Sequence, residues 1–404
     1  MGTHQQILDA NRGNITDKLF DLASSSVVSF HKLEEEPQLD DVMCHIQLAS
    51  ILSASKYQKK SIQWWSAAYQ LARQLRLNEE HATVVSEEER EERRRTWWLL
   101  YCVDRHQALS VRKSLSFRDA ESDELLHPCD ETLWNGDGDF QPPSFSVAGI
   151  QYRITGCSFF GFITPLMSIL GEVIDLYNLQ ESGQDADIAS KQASIQVHLD
   201  HYDESLRDCT YATDEAQLYK GYARHTVSTL HILATGKWDP LDTLADVEES
   251  GPSQAVIYSA AMATIAANTT REIERLDPEF DFMPLFFGTF LLQCSFPLLL
   301  LMKTFGTQSD DNILGGCEII MEAHRIFARC RGQVVDDSGG GGGEACISPY
   351  WSRFGSIIHE ITESKRGPTT SPGLAWRTMQ DIHSKTREIL GLYRWNKTGH
   401  GVNT

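Results

Sequence analysis

Basic residues are scarce in this chain. Among 404 residues, Lys plus Arg number 36 against 56 Asp plus Glu, which leaves a formal charge of −20. Each phosphate contact with a nucleic acid needs a cation, so these residues as a whole are not an electrostatic nucleic-acid binder. Close cysteine pairs are missing too. The nine cysteines stand at 44, 102, 129, 157, 209, 294, 317, 330 and 346, and no Cys-x-x-Cys occurs. That spacing argues against a compact cysteine zinc site. Met1 to Leu19 carries Asp9, Arg12, Asp17 and Lys18 and no apolar stretch after a basic start. No signal peptide is expected, and the thiols are expected to be reduced and mostly buried. Without secretion, the sequons at Asn14, Asn268 and Asn396 read as accidental. Catalytic signatures are likewise absent: there is no Gly-x-Ser-x-Gly, no His-Glu-x-x-His and no Gly-x-Gly-x-x-Gly.

One uncharged stretch is long enough to raise the membrane question. Phe282 to Met302 holds 21 residues between Asp281 and Lys303. Pro284, Gly288 and Pro297 interrupt it, and no basic flank precedes it. A buried pair of core helices is the better reading, and no membrane association is expected.

Helical spacing dominates the rest, and the fold class expected is all-α. Asp40-Asp41 precede Val42, Ile46, Ala49 and Leu52, a helix start with an apolar face. Ser61 opens a second helix, with Ile62, Trp65, Tyr69, Ala72 and Leu75 at 3–4 spacing and Asn78 available to end it in the left-handed region. Ser86-Glu87-Glu88-Glu89 is a capping box, followed by Glu89–Arg93 and Glu91–Arg95 pairs. Thr96 to Val103 then turns apolar nearly all round and must be buried. Ser110 to Phe145, with His127-Pro128, Gly136, Gly138, Pro142 and Pro143, reads as a long irregular loop. Helices are expected again over Gly156–Tyr177, Ile188–Arg207, Glu215–Thr235, Ser253–Leu276, Cys317–Arg331 and Leu374–Tyr393. Gly339 to Gly343 reads as a flexible linker, and Ile347 to Pro372 as polar and punctuated.

The candidates for chemistry are weak. His198-x-x-His201 with Asp203 and Glu204 offers metal-ligand types, but solvated or core-satisfied histidines are the simpler reading. His225 and His231, six apart, do not share a helix face. Asp310-Asp311-Asn312 and Asp40-Asp41 lack a third carboxylate one turn on. Asp104-Arg105 beside Trp97, Trp98 and Tyr101 reads first as a structural ion pair or a tie to the next loop. Arg93-Arg94-Arg95, neutralised by Glu87 to Glu92, reads as a solvated helix face.

One combination goes further. Ser61-Ile62-Gln63-Trp64-Trp65 leads to Leu75-Arg76-Leu77-Asn78, and then Arg93-Arg94-Arg95-Thr96-Trp97-Trp98 runs through Tyr101 to Asp104-Arg105. This order resembles the middle homology region of fungal binuclear-zinc-cluster transcription factors, in the xylanolytic activator branch. Leu125-Leu126-His127-Pro128, Thr229 to Pro240, Asp281 to Gly288 and Leu392-Tyr393-Arg394-Trp395 fit the same pattern.

The resemblance implies a helical regulatory domain, in the nucleus or also the cytoplasm, that restrains or licenses transcription in response to a carbohydrate signal through protein partners: the transcription machinery or related zinc-cluster factors, in a homo- or heterodimer. The alternative readings are a DNA-free interaction protein that captures related factors, or an all-helical enzyme or small-molecule binder. The resemblance marks Trp64, Trp65, Arg93, Arg94, Arg95, Trp97, Trp98, Tyr101, Asp104 and Arg105 as motif residues. It also implies a zinc-holding cluster of six cysteines ahead of the domain. The first cysteine here is Cys44, inside an expected helix, so no zinc ligand carries over and DNA contact falls to a module outside this chain. The organisation expected is an N-terminal segment 1–39, a regulatory domain 40–335, a glycine-rich or diverged segment 336–371, and a C-terminal helix and tail 372–404.

Overall fold

The computed structural model describes residues 37–53, 58–80, 86–111, 113–136, 147–182, 185–210, 213–284, 286–305, 311–330, 349–366 and 381–390. The all-α class holds over these residues. The helices are α1 (Leu39–Ser53), α2 (Gln58–Gln74), α3 (Glu87–Val111), a short α4 (Glu131–Trp134), α5 (Phe159–Ser182), α6 (Asp185–Asp208), α7 (Asp214–Thr235), α8 (Pro240–Ser250), α9 (Gln254–Leu276), α10 (Phe287–Phe305), α11 (Asp311–Cys330) and α12 (Pro349–Arg366). A last helix, α13, covers residues 381–390. Among the described residues, the sole β pairing is an isolated antiparallel bridge, Leu126 with Ala148.

The helices pack mostly as sequential neighbours: α1 on α2, α5 on α6, α6 on α7, and α9 against α7, α10 and α11. The exception that matters is α3, which packs on α5. One hydrophobic cluster runs from Val42 of α1 to Leu390 of α13. Trp351, Phe354, Ile357 and Ile361 of α12 belong to it, as do Ile382 and Ile389 of α13. Helix α12 lies within the 336–371 span expected to be a glycine-rich linker or a diverged segment. Its apolar residues recur at helical spacing, but charged residues between them hide the pattern. The glycine run itself lies outside the described residues.

Several local expectations change. The uncharged stretch is one helix, not a pair. Phe282 and Pro284 belong to the preceding turn, and α10 runs through Pro297. A proline inside a helix removes a donor, and here the helix continues through it while packed against α7, α9 and α11. Helices α5 and α10 are each long and apolar enough to cross a membrane, yet 89% and 78% of their apolar windows are buried within the protein. Such burial is that of core helices. On α2, Ile62 is 42% exposed, because Ser61 takes the inward position and donates to the Ala49 carbonyl at 2.7 Å. Helix α2 ends at Arg76 rather than Asn78: Arg76 has φ +52°, and Leu77 N–H reaches the Ala72 carbonyl at 3.0 Å. This is the six-to-one bond of a Schellman end. Helix α11 starts at Asp311, six residues before the expected Cys317. Gly315 and Gly316 read as breakers in sequence, but they lie where α11 passes Arg271 and Ala267 of α9. Helix α8, unexpected, begins with Asp239 capping Leu241 N–H and Pro240 in the first turn.

Helix α5 shows how a loop is fixed to the core. Pro165 deprives the Gly161 carbonyl of its helical donor, and Thr155 N–H supplies one at 3.1 Å. Gly161 must then admit the loop backbone. A Cβ there would stand 2.5–2.6 Å from the Gly156 main chain. Gly161→Ala is therefore expected to lower the unfolding free energy by about 1–3 kcal/mol, the usual range for overpacking. Urea denaturation checks it, and an unchanged midpoint counts against the docking.

Candidate functional site: the tryptophan helix and its loop

Helix α3 starts as expected, with Ser86 Oγ accepting from Glu89 N–H at 3.1 Å. Its arginines do not form a solvated face. Each reaches out of the helix to a different neighbour. Arg93 donates to the Leu75 carbonyl at 2.6 Å and the Arg76 carbonyl at 3.3 Å, closing the end of α2. Arg94 is buried and grips Glu80 with two bonds, 2.7 and 2.6 Å. Arg95 pairs with Glu91 at 2.9 Å and donates to the Cys129 carbonyl at 2.6 Å. Glu91, almost fully buried, also accepts from Cys129 N–H at 2.9 Å. Of the two expected pairs along the helix, Glu91–Arg95 forms. Arg93 takes the carbonyls of α2 instead, and burial lowers its pKa.

The next two turns carry the aromatic residues inward. Trp97 and Trp98 are fully buried, and each indole N–H is spent on the loop: Trp97 on Ser122 Oγ at 2.9 Å, Trp98 on the Leu126 carbonyl at 2.8 Å. His127 stacks on Trp98 with ring centres 4.5 Å apart. Burial pulls the His127 pKa down, and its Nε2 meets the Gly149 carbonyl at 2.7 Å. Phe117 stands edge-on to Trp97 at 4.5 Å. Tyr101 donates to Asp119 at 2.8 Å and lies 3.2 Å from Ser168 Oγ of α5, and burial holds its phenol well above the ordinary range.

Asp104 and Arg105 complete the arrangement. Both are fully buried. Asp104 accepts from Ser116 N–H at 2.7 Å, Phe117 N–H at 3.1 Å and Lys113 Nζ at 3.1 Å. Arg105 donates to Asp119 at 2.6 Å, and its guanidinium lies 3.4 Å from the Tyr101 ring centre. Trp65 of α2 is buried and stacks with Tyr69 at 6.4 Å, while Trp64 is half-buried beside His45 at 5.1 Å.

The structure thus brings Arg95, Trp97, Trp98, Tyr101, Asp104 and Arg105 together as one side of a clasp, while Arg93 and Arg94 hold the end of α2 and Glu80. The other side is the loop 113–135. Trp64 and Trp65 stand apart, on α2. The loop residues that receive these bonds, Asp119, Ser122, Leu126 and Cys129, carry no sequence signal of their own. Glu80 and Glu91 were hidden among ordinary surface-type acids. Asp130 does similar work from the loop, accepting from Cys157 N–H at 2.9 Å and Ser158 Oγ at 2.8 Å.

The histidine candidates separate. His198 pairs with Glu172 of α5 at 2.5 Å and lies flat against Tyr152 at 3.6 Å, whereas His201 is exposed. His231 bridges Asp203 and Tyr258, both at 2.9 Å. His225 faces Thr270 at 3.0 Å. Among the described residues, no three His, Cys, Asp or Glu side chains are placed to hold a metal ion. Burial also raises the Cys102 thiol to about 12, far from a reactive thiolate.

A helical domain built around an arginine–tryptophan helix clasped by its own loop defines a class, and residues 22–206 match the fungal specific transcription factor domain. The matched segment is 185 of the 404 residues. It is 29% identical over 90% of its length to the xylanolytic transcriptional activator xlnR of Emericella nidulans, covering 47% of that protein. It is 30% identical to the protein of the same name in Aspergillus flavus, covering 44% of it, again over 90% of the chain. The chain spans about half the length of these relatives. No solved structure matches it.

Proposed function

We propose that this chain is the regulatory domain of a fungal transcription regulator tied to xylan metabolism, acting in the nucleus and not as an enzyme. The observation that carries this reading is the similarity to xylanolytic activators across 90% of the chain. The charge of −20 supports DNA contact through a module outside these residues. Any zinc would belong to that module, and no cofactor is assigned to this chain. Residues 40–335 form the regulatory domain in this reading, followed by segments 336–371 and 372–404. Its partners are proteins: the transcription machinery, related zinc-cluster factors or a second copy.

The loop clasped to α3 is the place for signal input. Such a loop can bias two packings that differ by a few kcal/mol. The test fuses the full chain to a heterologous DNA-binding module and reads a reporter on xylan and on glucose. The expected difference is about fivefold or more, within the usual range of coupling between sites. Equal reporter output at equal protein level removes the xylan assignment. Asp123→Lys and Glu124→Lys, at exposed positions of the loop, are expected to change induction. Unchanged induction in both sinks the role of the loop.

A further inference from the structure

The turn that follows α9 is closed by Asp277. The Asp277 carboxylate accepts from Asp281 N–H and Phe282 N–H, both at 3.0 Å. Phe280 adopts φ +51°, a region bulky residues rarely enter. That backbone turns Phe280 and Phe286 into the core and Phe282 outward. Phe282 is 56% exposed, and Leu276, at the end of α9, is 47% exposed. Acidic residues predominate along the same stretch of chain. Glu272, Glu279 and Asp281 are exposed and Glu274 is half-buried, while Arg275 is the one basic residue between 272 and 286. Glu272 is matched by Arg224 at 3.3 Å. Among the described residues, Glu274, Glu279 and Asp281 form no ion pair.

Single exposed apolar side chains are ordinary. Here an aromatic and a leucine stand exposed on a stretch rich in acids that mostly form no ion pair among the described residues, and the charge selects the partner. We propose that the Leu276–Phe282 turn is a docking epitope for a protein whose surface carries an apolar groove rimmed by lysine and arginine. Phe282 is the anchor that fills the groove, and Glu279 and Asp281 meet its basic rim. Anchoring by a central aromatic and steering by rim charges are the usual division of labour at interfaces. The epitope is a property of the surface and holds whether or not the chain regulates transcription.

The test uses the full chain and a fluorescein-labelled amphipathic helix made only of leucine and lysine, followed by anisotropy. Phe282→Ala is expected to weaken binding about tenfold or more, the loss of one hot-spot side chain. Glu279→Gln with Asp281→Asn is expected to weaken it at low salt and to flatten its salt dependence. Val197→Ala, at an exposed site on α6, serves as control and is expected to leave binding and thermal midpoint unchanged. Equal affinity for wild type and Phe282→Ala overturns the epitope, as does an equal loss at Val197→Ala. Phe282-dependent binding to phosphatidylcholine vesicles without binding to the peptide overturns the protein partner in favour of a membrane.

Discussion

Asp104→Ala is expected to lower the unfolding free energy by about 3–5 kcal/mol, the range for breaking a buried ion pair from one side. The reason lies in what the carboxylate leaves behind. Ser116 and Phe117 N–H groups lose their acceptor inside the protein, and so does Lys113. Arg105 loses the neighbour at 3.5 Å and retains Asp119 as its sole carboxylate partner. Its Nε and Nη1 already have no hydrogen-bond acceptor. Urea unfolding measures the loss. Emission from Trp97 adds a local readout, because Phe117 packs on its ring. Removing both charges, Asp104→Ala with Arg105→Met, is expected to cost less than the two single losses added together, since no charge is then stranded. A single-variant loss under about 1 kcal/mol would falsify the clasp, because that is the range of an exposed pair.

The second large effect is a pH dependence centred on His225. Burial pushes its pKa down to about 4. Its Nδ1 lies 3.2 Å from the Ala266 carbonyl and 3.0 Å from Thr270 Oγ1, and the Phe290 backbone also faces the ring. Protonation would therefore bury a charge at a fully buried site. Unfolded histidine titrates near 6.5, so below that pH the unfolded chain binds a proton that the folded chain refuses. The stabilising contribution is present above about 6.5 and is lost as pH falls towards 4, by about 3 kcal/mol in total. His225→Gln keeps a donor for the Ala266 carbonyl and removes the titration. The stability difference between wild type and variant is expected to shift by that amount between pH 7 and pH 4. A constant difference across this range would show that His225 charges freely in the folded state.

Legibility differed by element. The core face of α1 and the start of α3 could be read from spacing and capping residues. So could the burial of Trp97 and Trp98, because a helix that becomes apolar all round has nowhere else to go. Helix α10 was misread as two helices because proline and glycine are local breakers, whereas the cost of an interior proline is set against packing from three other helices. Helix α12 was missed because charged residues interrupt its apolar spacing, although Trp351 and Phe354 enter the core. The arginine triplet was misread because neighbouring glutamates supply an adequate local explanation. Nothing in the triplet shows that Arg93 closes α2, or that Glu80 stands ready for Arg94.

Periodicity alone indicated the all-helical class, and it follows from short-range rules: helix period and caps. The resemblance to the family came instead from the order of the tryptophan and arginine motifs. Contacts between distant segments assigned every partner in the clasp. Asp104 with Phe117, Arg94 with Glu80, Trp98 with Leu126 and Tyr101 with Ser168 join residues whose pairing no local spacing encodes. A buried polar group accepts whichever complementary group packing brings within about 3 Å. That proximity is set by how α3 lies against α5 and by how the loop closes over both.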